Sequence, residues 1–170
     1  MMTFKIYVAN LAKYNSGILK GEWLELPMEA EELQEALKDI LGNDEEVAIH
    51  DYENDLGYSI HEYDNITELN ELAERLEALD TEGFKVIEAY MECMSNNLEE
   101  ALDCYEEWNF TVYNGCNDDS DLGYYVVDNG LFGVEIPDSL SMYIDYEAIG
   151  RDFRIESTGC FMDGDYIQFI

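Results

Sequence analysis

The chain has 170 residues, of which 40 are acidic and 8 are basic, so its formal charge is −32 at pH 7. Such a charge excludes direct binding to nucleic acid or to an anionic membrane, because both would repel the protein. A hydrophobic content of 47% and an aromatic content of 13% support a folded core and exclude a disordered chain.

Sequence features relating to compartment point to a cytoplasmic protein. No apolar run is long enough to span a bilayer, and the N-terminal sequence MMTFKIYVANLAKY lacks the features of a signal peptide. The cysteines show neither C-x-x-C pairs nor metal-binding spacing. We therefore expect reduced thiols at all of them, namely Cys93, Cys104, Cys116 and Cys160.

The first third of the chain has the pattern of a small α+β module over residues 1–62. Residues 4–10 and 21–26 are β-rich and flank a turn, which predicts a hairpin with a longer loop. Apolar residues at helical spacing predict a helix over residues 28–41 that ends at Gly42. A third strand is predicted over residues 46–52.

The middle of the chain, residues 63–109, is predicted to be a helical module. Asn65 and Glu68 form a capping-box pattern at the start of the first helix. Thr81 is predicted to cap the second helix, whose buried stripe is predicted to extend from Phe84 to Met94. A third helix, over residues 97–109, is predicted to turn its apolar side chains inward, including that of Trp108. Short links between the helices indicate a small bundle.

The last part, residues 110–170, again has an α+β pattern. A strand is predicted near residues 109–113 and a short helix over residues 122–129. Pro137 suits the start of a helical turn, and Gly150 is predicted to close the next one. Residues 154–158 and 166–170 have strand character. The predicted fold class is therefore α+β, with three small modules and an acidic surface.

One long stretch of the chain lacks basic residues: the sequence contains no Lys or Arg between residues 86 and 150. Acidic side chains in this stretch are the candidate partner-binding groups. They are Glu88, Glu92, Glu99, Glu100, Asp103, Glu106, Glu107, Asp118, Asp119, Asp121, Asp128, Glu135, Asp138, Asp145 and Glu147.

The spacing of these charges resembles that of a nucleic acid. A helix over residues 97–109 rises ~1.5 Å per residue and carries about one carboxylate per 3.6 Å, whereas one DNA strand carries a phosphate every ~3.4 Å. At ~1.7 Å of duplex axis per charge, the net charge corresponds to roughly 54 Å of DNA, and a compact globule of this length is only about 40 Å across. We therefore expect an elongated row of modules that mimics a duplex.

Three segments of the sequence resemble the ArdA family of antirestriction proteins. They are IYVANLAKYNSGILKGEWLELP (residues 6–27), AIHDYE (48–53) and IPDSLSMYIDYEAIGRDF (136–153). The resemblance implies a cytoplasmic DNA mimic, carried by mobile elements, that inhibits type I restriction–modification enzymes by competing with duplex DNA for their methyltransferase core. It also implies an elongated, three-domain homodimer without a cofactor.

The family's antirestriction motif, associated with the dimer contact, corresponds to residues 121–140. The resemblance implies buried or interface positions at Leu122, Tyr124, Tyr125, Val126, Leu131, Phe132 and Ile136. Ordinary core packing within one chain is the alternative for each of these side chains.

The acidity is also compatible with calcium binding or with adaptation to high salt. Residues 51–62 and 117–128 place acidic or amide side chains at positions 1, 3, 5 and 12 of a calcium-binding EF-hand loop. However, Gly57 and Gly123 fall at position 7, whereas that loop needs glycine at position 6. In a protein adapted to high salt, the acids would only keep the surface hydrated.

An enzymatic function has little support in the sequence. His50 and His61 could act as bases, but hydrogen-bonded structural histidines are the simpler interpretation. The sequence contains no phosphate-binding loop, nucleophile elbow or metal-ligand cluster. We expect no catalytic residues, no metal and no cofactor.

Overall fold

Two antiparallel three-stranded sheets, one in each of two compact units, form the framework of the computed structural model. The structure describes residues 3–131, 133 and 136–170. The units are Met1–Leu79 and Asp80–Ile170. Helices and small antiparallel sheets occur in both, so the α+β class is confirmed. The division into three modules stays a prediction.

The first unit builds its core on an alternating central strand. Its elements are β1 (Phe4–Asn10), α1 (Leu11–Asn15), β2 (Gly21–Glu25), α2 (Ala30–Leu41), β3 (Val47–Asn54) and α3 (Ile66–Glu77). Strand β1 lies between β2 and β3, antiparallel to both, and buries Phe4, Ile6 and Val8. The alternation of apolar residues gives the strand one core-facing side.

Two buried asparagines connect the helices of this unit to the rest of it. The Asn10 amide donates to the carbonyl oxygens of Ile40 and Leu41 at the end of α2. Asn70, on α3, donates to the Met28 carbonyl oxygen at 2.9 Å and accepts from the Met28 N–H at 2.8 Å. Buried amides are stable only when their polar atoms are paired in this way.

The predicted helix boundaries in this unit agree with the structure. Gly42, with φ of 62°, ends α2, and its N–H donates to the Lys38 carbonyl oxygen. Asn65 caps α3 by accepting from the N–H groups of Thr67 and Glu68. The Glu68 carboxylate in turn accepts from the Asn65 amide at 2.9 Å.

The second unit places helices around a sheet whose central strand is its last element. Its elements are α4 (Thr81–Cys93), α5 (Leu98–Glu106), β4 (Phe110–Tyr113), α6 (Asp119–Asp128), a 3₁₀ helix (Asp138–Tyr143), α7 (Tyr146–Glu156), β5 (Thr158–Met162) and β6 (Asp165–Phe169). Strand β6 pairs with β4 and β5 in an antiparallel sheet. Ile167 and Phe169 pack with α4, whereas Tyr166 packs with α6 on the other side.

Helices α6 and α7 approach each other through two glycines. A Cβ on Gly123 would overlap the Tyr146 carbonyl, and a Cβ on Gly150 would overlap the Asp119 carbonyl. Only residues without a side chain allow the two backbones to come this close. Gly150 therefore lies inside α7, and the prediction that it closes a helix is wrong.

The strand predicted over residues 154–158 is also wrong for most of its length. Helix α7 continues to Glu156, and β5 begins at Thr158. Burial explains the difference, because Phe153 packs against the cluster that contains Leu122 and Tyr166. This contact holds one more turn in the helical conformation than the local sequence suggests.

The cysteines depart from the expectation of four reduced thiols. Cys93, at the end of α4, forms a disulfide with Cys160 on β5, and 67 residues separate the two in sequence. Cys104 and Cys116 are free. The packing of α4 against the sheet brings the paired residues together, and no local sequence motif predicts such a contact.

Candidate partner-binding surface

Helix α5 presents carboxylates on the side opposite its core contacts. Leu98, Ala101 and Leu102 are fully buried. Acidic residues occupy the exposed positions of the helix and the position after it, and they are Glu99, Glu100, Asp103, Glu106 and Glu107. The helical period separates the two sets, so the fold of this helix places five predicted site residues at the surface.

Helix α4 contributes two further acidic residues with different surroundings. Glu92 is exposed, whereas Glu88 is half-buried. Burial, followed by the charges of Asp163 and Glu92, raises the pKa of Glu88. Glu88 is therefore less suited than Glu92 to carry a charge toward a partner.

The three acidic residues at the start of α6 have structural contacts. Asp118 caps the helix by accepting from the Asp121 N–H at 3.0 Å. Asp121 accepts from both the backbone and the amide of Asn117, and these bonds lower its pKa. Asp119 accepts two hydrogen bonds from the Arg154 guanidinium, at 2.7 and 3.0 Å, and this contact lowers the pKa of Asp119. Asp119 is thus neutralised within the chain.

Of the remaining predicted carboxylates that the structure describes, Asp128 ends α6, and the others lie in the 3₁₀ helix or at the start of α7. Asp145 caps α7 by accepting from the Ala148 N–H at 3.0 Å. Asp128 and Asp138 are exposed, and Asp145 and Glu147 lie at the start of α7. Glu135 lies outside the described residues.

The cations of the second unit contact carboxylates of the same unit. Lys85 is hydrogen-bonded to Asp165, Arg154 to Asp119, and Arg151 lies 3.6 Å from Asp152. Residues 80–170 contain 21 acidic and 3 basic side chains, which gives this unit a formal charge of −18. The first unit, with 19 acidic and 5 basic side chains, has a formal charge of −14. Both units therefore carry a large excess of negative charge.

The chain matches a known protein family over nearly its whole length. A family model described as antirestriction protein (ArdA) matches residues 6–168, which is nearly the whole chain. The chain belongs to the ArdA family of antirestriction proteins. No curated protein matches it at a significant level. In the described part of this ArdA-family chain, the helices lack the length and apolar content needed to cross a membrane.

The residues expected at the dimer contact of this ArdA-family chain differ in their burial. Leu122 and Val126 are fully buried in the core of the second unit. Tyr124 and Leu131 are about half exposed, at 50% and 49%. Tyr125 and Ile136 are half-buried, and Phe132 lies outside the described residues.

Two exposed residues of this ArdA-family chain differ from their predictions. Met94, predicted to lie in the buried stripe of α4, is 42% exposed. The helical pattern predicts that Trp108 faces the core, but its side chain is 74% exposed. Helix α5 ends at Glu106, so the helical period no longer determines the direction of residue 108. Its position between Glu107 and Asn109, both polar, was the available signal.

The two calcium-loop patterns fall partly on regular elements in this ArdA-family chain. Residues 51–54 belong to β3, and residues 119–128 form α6. Within the part of the chain that the structure describes, no group of three or more His, Cys, Asp or Glu side chains is arranged to hold a metal ion.

The two histidines considered as bases lie in the first unit. His50 packs against the Tyr14 ring at a centroid distance of 4.5 Å. The Nδ1 atom of His61 lies 3.6 Å from the Asp64 carboxylate, and the His61 side chain is largely exposed. His50 therefore packs on an aromatic ring, and His61 lies beside a carboxylate at the surface.

Proposed function

We propose that the protein inhibits type I restriction–modification enzymes as a mimic of duplex DNA. Its carboxylates would occupy the Lys- and Arg-lined DNA channel of the methyltransferase core. Family membership supports the antirestriction role. The observation that carries the proposed mechanism is the set of exposed acidic side chains on α5. The three cations of the same unit each contact a carboxylate outside α5, so they do not neutralise this set.

The mechanism is competition, without a chemical step. A DNA channel gains affinity by neutralising phosphates, and carboxylates at similar spacing can replace those phosphates. The α5 carboxylates are attached to a helix that is fixed by the burial of Leu98 and Leu102, so little ordering entropy is lost on binding. Base edges are not involved, so inhibition is independent of the recognition sequence of the enzyme.

Three further parts of the proposal follow from family resemblance. The protein is an inhibitor and not an enzyme, it acts in the cytoplasm, and it is carried by mobile elements. We also propose an elongated homodimer. Tyr124 and Leu131 are the best candidates for the dimer contact, because their side chains are about half exposed whereas Leu122 and Val126 are used within the protomer.

Charge neutralisation in matched sets tests the proposal. A Glu99→Gln, Glu100→Gln, Glu107→Gln variant should inhibit DNA binding by a purified type I methyltransferase less than the wild-type protein does. The matched control changes three exposed glutamates of α2 to Gln, at Glu31, Glu32 and Glu35. An equal loss of inhibition in both variants would show that only the net charge of the protein matters. It would overturn the assignment of the partner-binding carboxylates to residues 86–150.

A further inference from the structure

Trp108 has a backbone conformation that is unusual for its residue type. Its φ is 57°, in the left-handed region that favours glycine. The N–H of Asn109 donates to the Cys104 carbonyl oxygen at 2.9 Å, and that of Trp108 donates to the Tyr105 carbonyl oxygen at 3.1 Å. This pair of bonds is the Schellman ending of α5, where glycine is the usual residue at the position of Trp108. A strained residue at the surface suggests a function that offsets the strain.

The Trp108 ring belongs to a group of three nearly parallel rings. Its centroid lies 5.9 Å from that of Phe110 and 6.2 Å from that of Tyr105, with interplanar angles of 15° and 26°. Tyr105 and Phe110 are themselves 5.6 Å apart and pack against the core that contains Val86 and Phe169. We call these three rings the aromatic platform. Two of them anchor it, and the third, Trp108, is 74% exposed.

Carboxylates lie beside the aromatic platform. A Cβ on Gly83 would lie 2.8 Å from the Tyr105 hydroxyl, so this ring packs directly on the first turn of α4. The Asp80 carboxylate accepts from the Gly83 N–H in that turn at 2.8 Å. Burial, followed by the charges of Asp80 and Glu82, raises the pKa of Tyr105. Glu107, which precedes Trp108 in the chain, accepts from the Asn109 side-chain amide at 2.9 Å.

The surrounding charge identifies the kind of group that would cover the platform. Exposed aromatic rings often stack on nucleic-acid bases, but the carboxylates here would repel the attached phosphates. A cation is attracted by both the ring faces and the carboxylates. The chain already contains one such contact, because the Lys5 ammonium lies 5.9 Å from the centroid of the Trp23 ring.

We infer that the aromatic platform of Tyr105, Trp108 and Phe110 receives an arginine side chain of the restriction enzyme. A guanidinium is planar, so it stacks on the exposed Trp108 ring while its N–H groups point outward toward the carboxylates. The contact would add an orientation-dependent anchor to the long-range attraction of the acidic surface. This inference rests on the proposed function and specifies one contact within it.

Substitutions at Trp108 test the inference by measuring affinity for a purified type I methyltransferase. Trp108→Leu keeps an apolar side chain but removes the π face, and should weaken binding about tenfold. Trp108→Phe should lose less. The control is Trp23→Leu, at the tryptophan whose ring Lys5 already covers, and its affinity should equal that of the wild-type protein.

Trp108→Gly separates binding from folding, because it relieves the left-handed strain and also removes the ring. We expect thermal stability equal to or above that of the wild-type protein, together with the tenfold loss of affinity. If Trp108→Leu binds as tightly as wild type, the arginine contact is wrong and the mimicry proposal stands. If Trp108→Leu changes only the oligomeric mass, the platform binds a second copy and the inference is overturned.

A peptide titration is independent of the restriction enzyme. The Trp23→Phe variant leaves Trp108 as the only tryptophan, because the chain contains two. Its fluorescence should respond to a short arginine peptide at lower concentration than to a lysine peptide of equal length. Equal responses to the two peptides would contradict guanidinium stacking. If the variant prefers the arginine peptide but the wild-type protein does not bind the methyltransferase, the proposed function is overturned. The stacking of a guanidinium on the platform would then still be supported.

Discussion

The ammonium group of Lys85, on α4, is hydrogen-bonded to the carboxylate of Asp165, on β6, 80 residues later in the chain. Both side chains are mostly buried, with 18% and 13% of their surfaces exposed. Asp165 also accepts from the Gly115 N–H at 2.7 Å. When one partner of such a buried ion pair is removed, the other charge stays buried without compensation, and this destabilises the fold.

Removal of Lys85 should therefore destabilise the second unit. We expect Lys85→Met to lower the free energy of unfolding by about 3 kcal/mol, because Asp165 keeps its charge without its main partner. The control is Arg151→Met, since the exposed pair of Arg151 with Asp152 should contribute less than about 0.5 kcal/mol. Urea unfolding measures both changes, and similar losses would contradict the structural role of Lys85.

A methyl group at Gly150 should be destabilising even though it lies within a helix. Alanine normally stabilises a helix interior by up to about 1 kcal/mol over glycine. At Gly150 the added Cβ would overlap the Asp119 carbonyl, so we expect a net loss of about 1–3 kcal/mol as α6 and α7 move apart. A gain in melting temperature for Gly150→Ala would show that the two helices are not in such close contact.

The disulfide between Cys93 and Cys160 should contribute substantially to stability. By chain entropy alone, a crosslink that spans 67 residues is worth about 4 kcal/mol. Reduction by dithiothreitol should therefore lower the unfolding midpoint of the wild-type protein and leave that of a Cys93→Ser, Cys160→Ser variant unchanged. Cys104→Ser, at a free cysteine, is the control and should respond to reduction as wild type does.

The pH dependence of stability should show a maximum in mildly acid solution. Burial and neighbouring acids raise the pKa of Glu88. Between the ordinary Glu pKa and this raised value the native state binds more protons than the unfolded state, so stability rises as pH falls through that range. Hydrogen bonds from Lys85 and Arg154 lower the pKa values of Asp165 and Asp119, respectively. Their contribution is present above the ordinary Asp pKa and is lost as pH falls through the lowered values. Urea midpoints that decrease steadily from pH 7 downward would contradict this balance.

The sequence predicted correctly those helix ends and strands that are determined by neighbouring residues. Alternation in β1, the cap at Asn65 and the glycine at Gly42 each depend on neighbouring residues, and the structure confirms them. Gly150 and the Cys93–Cys160 pair were mispredicted because their roles depend on packing between elements distant in sequence.

The candidate site shows the same division. The exposed face of α5 follows from the helical period, so its acidic positions were predictable. Trp108 was not, because the helix ends before it and a left-handed residue redirects its ring outward. Leu122 and Val126 have an apolar pattern that suits both a protomer core and an interface, and only packing places them in the core.

The most direct test of DNA mimicry is competition with a labelled DNA duplex for a purified type I methyltransferase across a salt series. A DNA mimic should displace the duplex, and its affinity should fall by at least about tenfold between roughly 50 and 200 mM salt. The prediction applies equally to enzymes with different recognition sequences. Failure to displace the duplex, or an affinity that is unchanged over this range of salt, would contradict DNA mimicry by this protein.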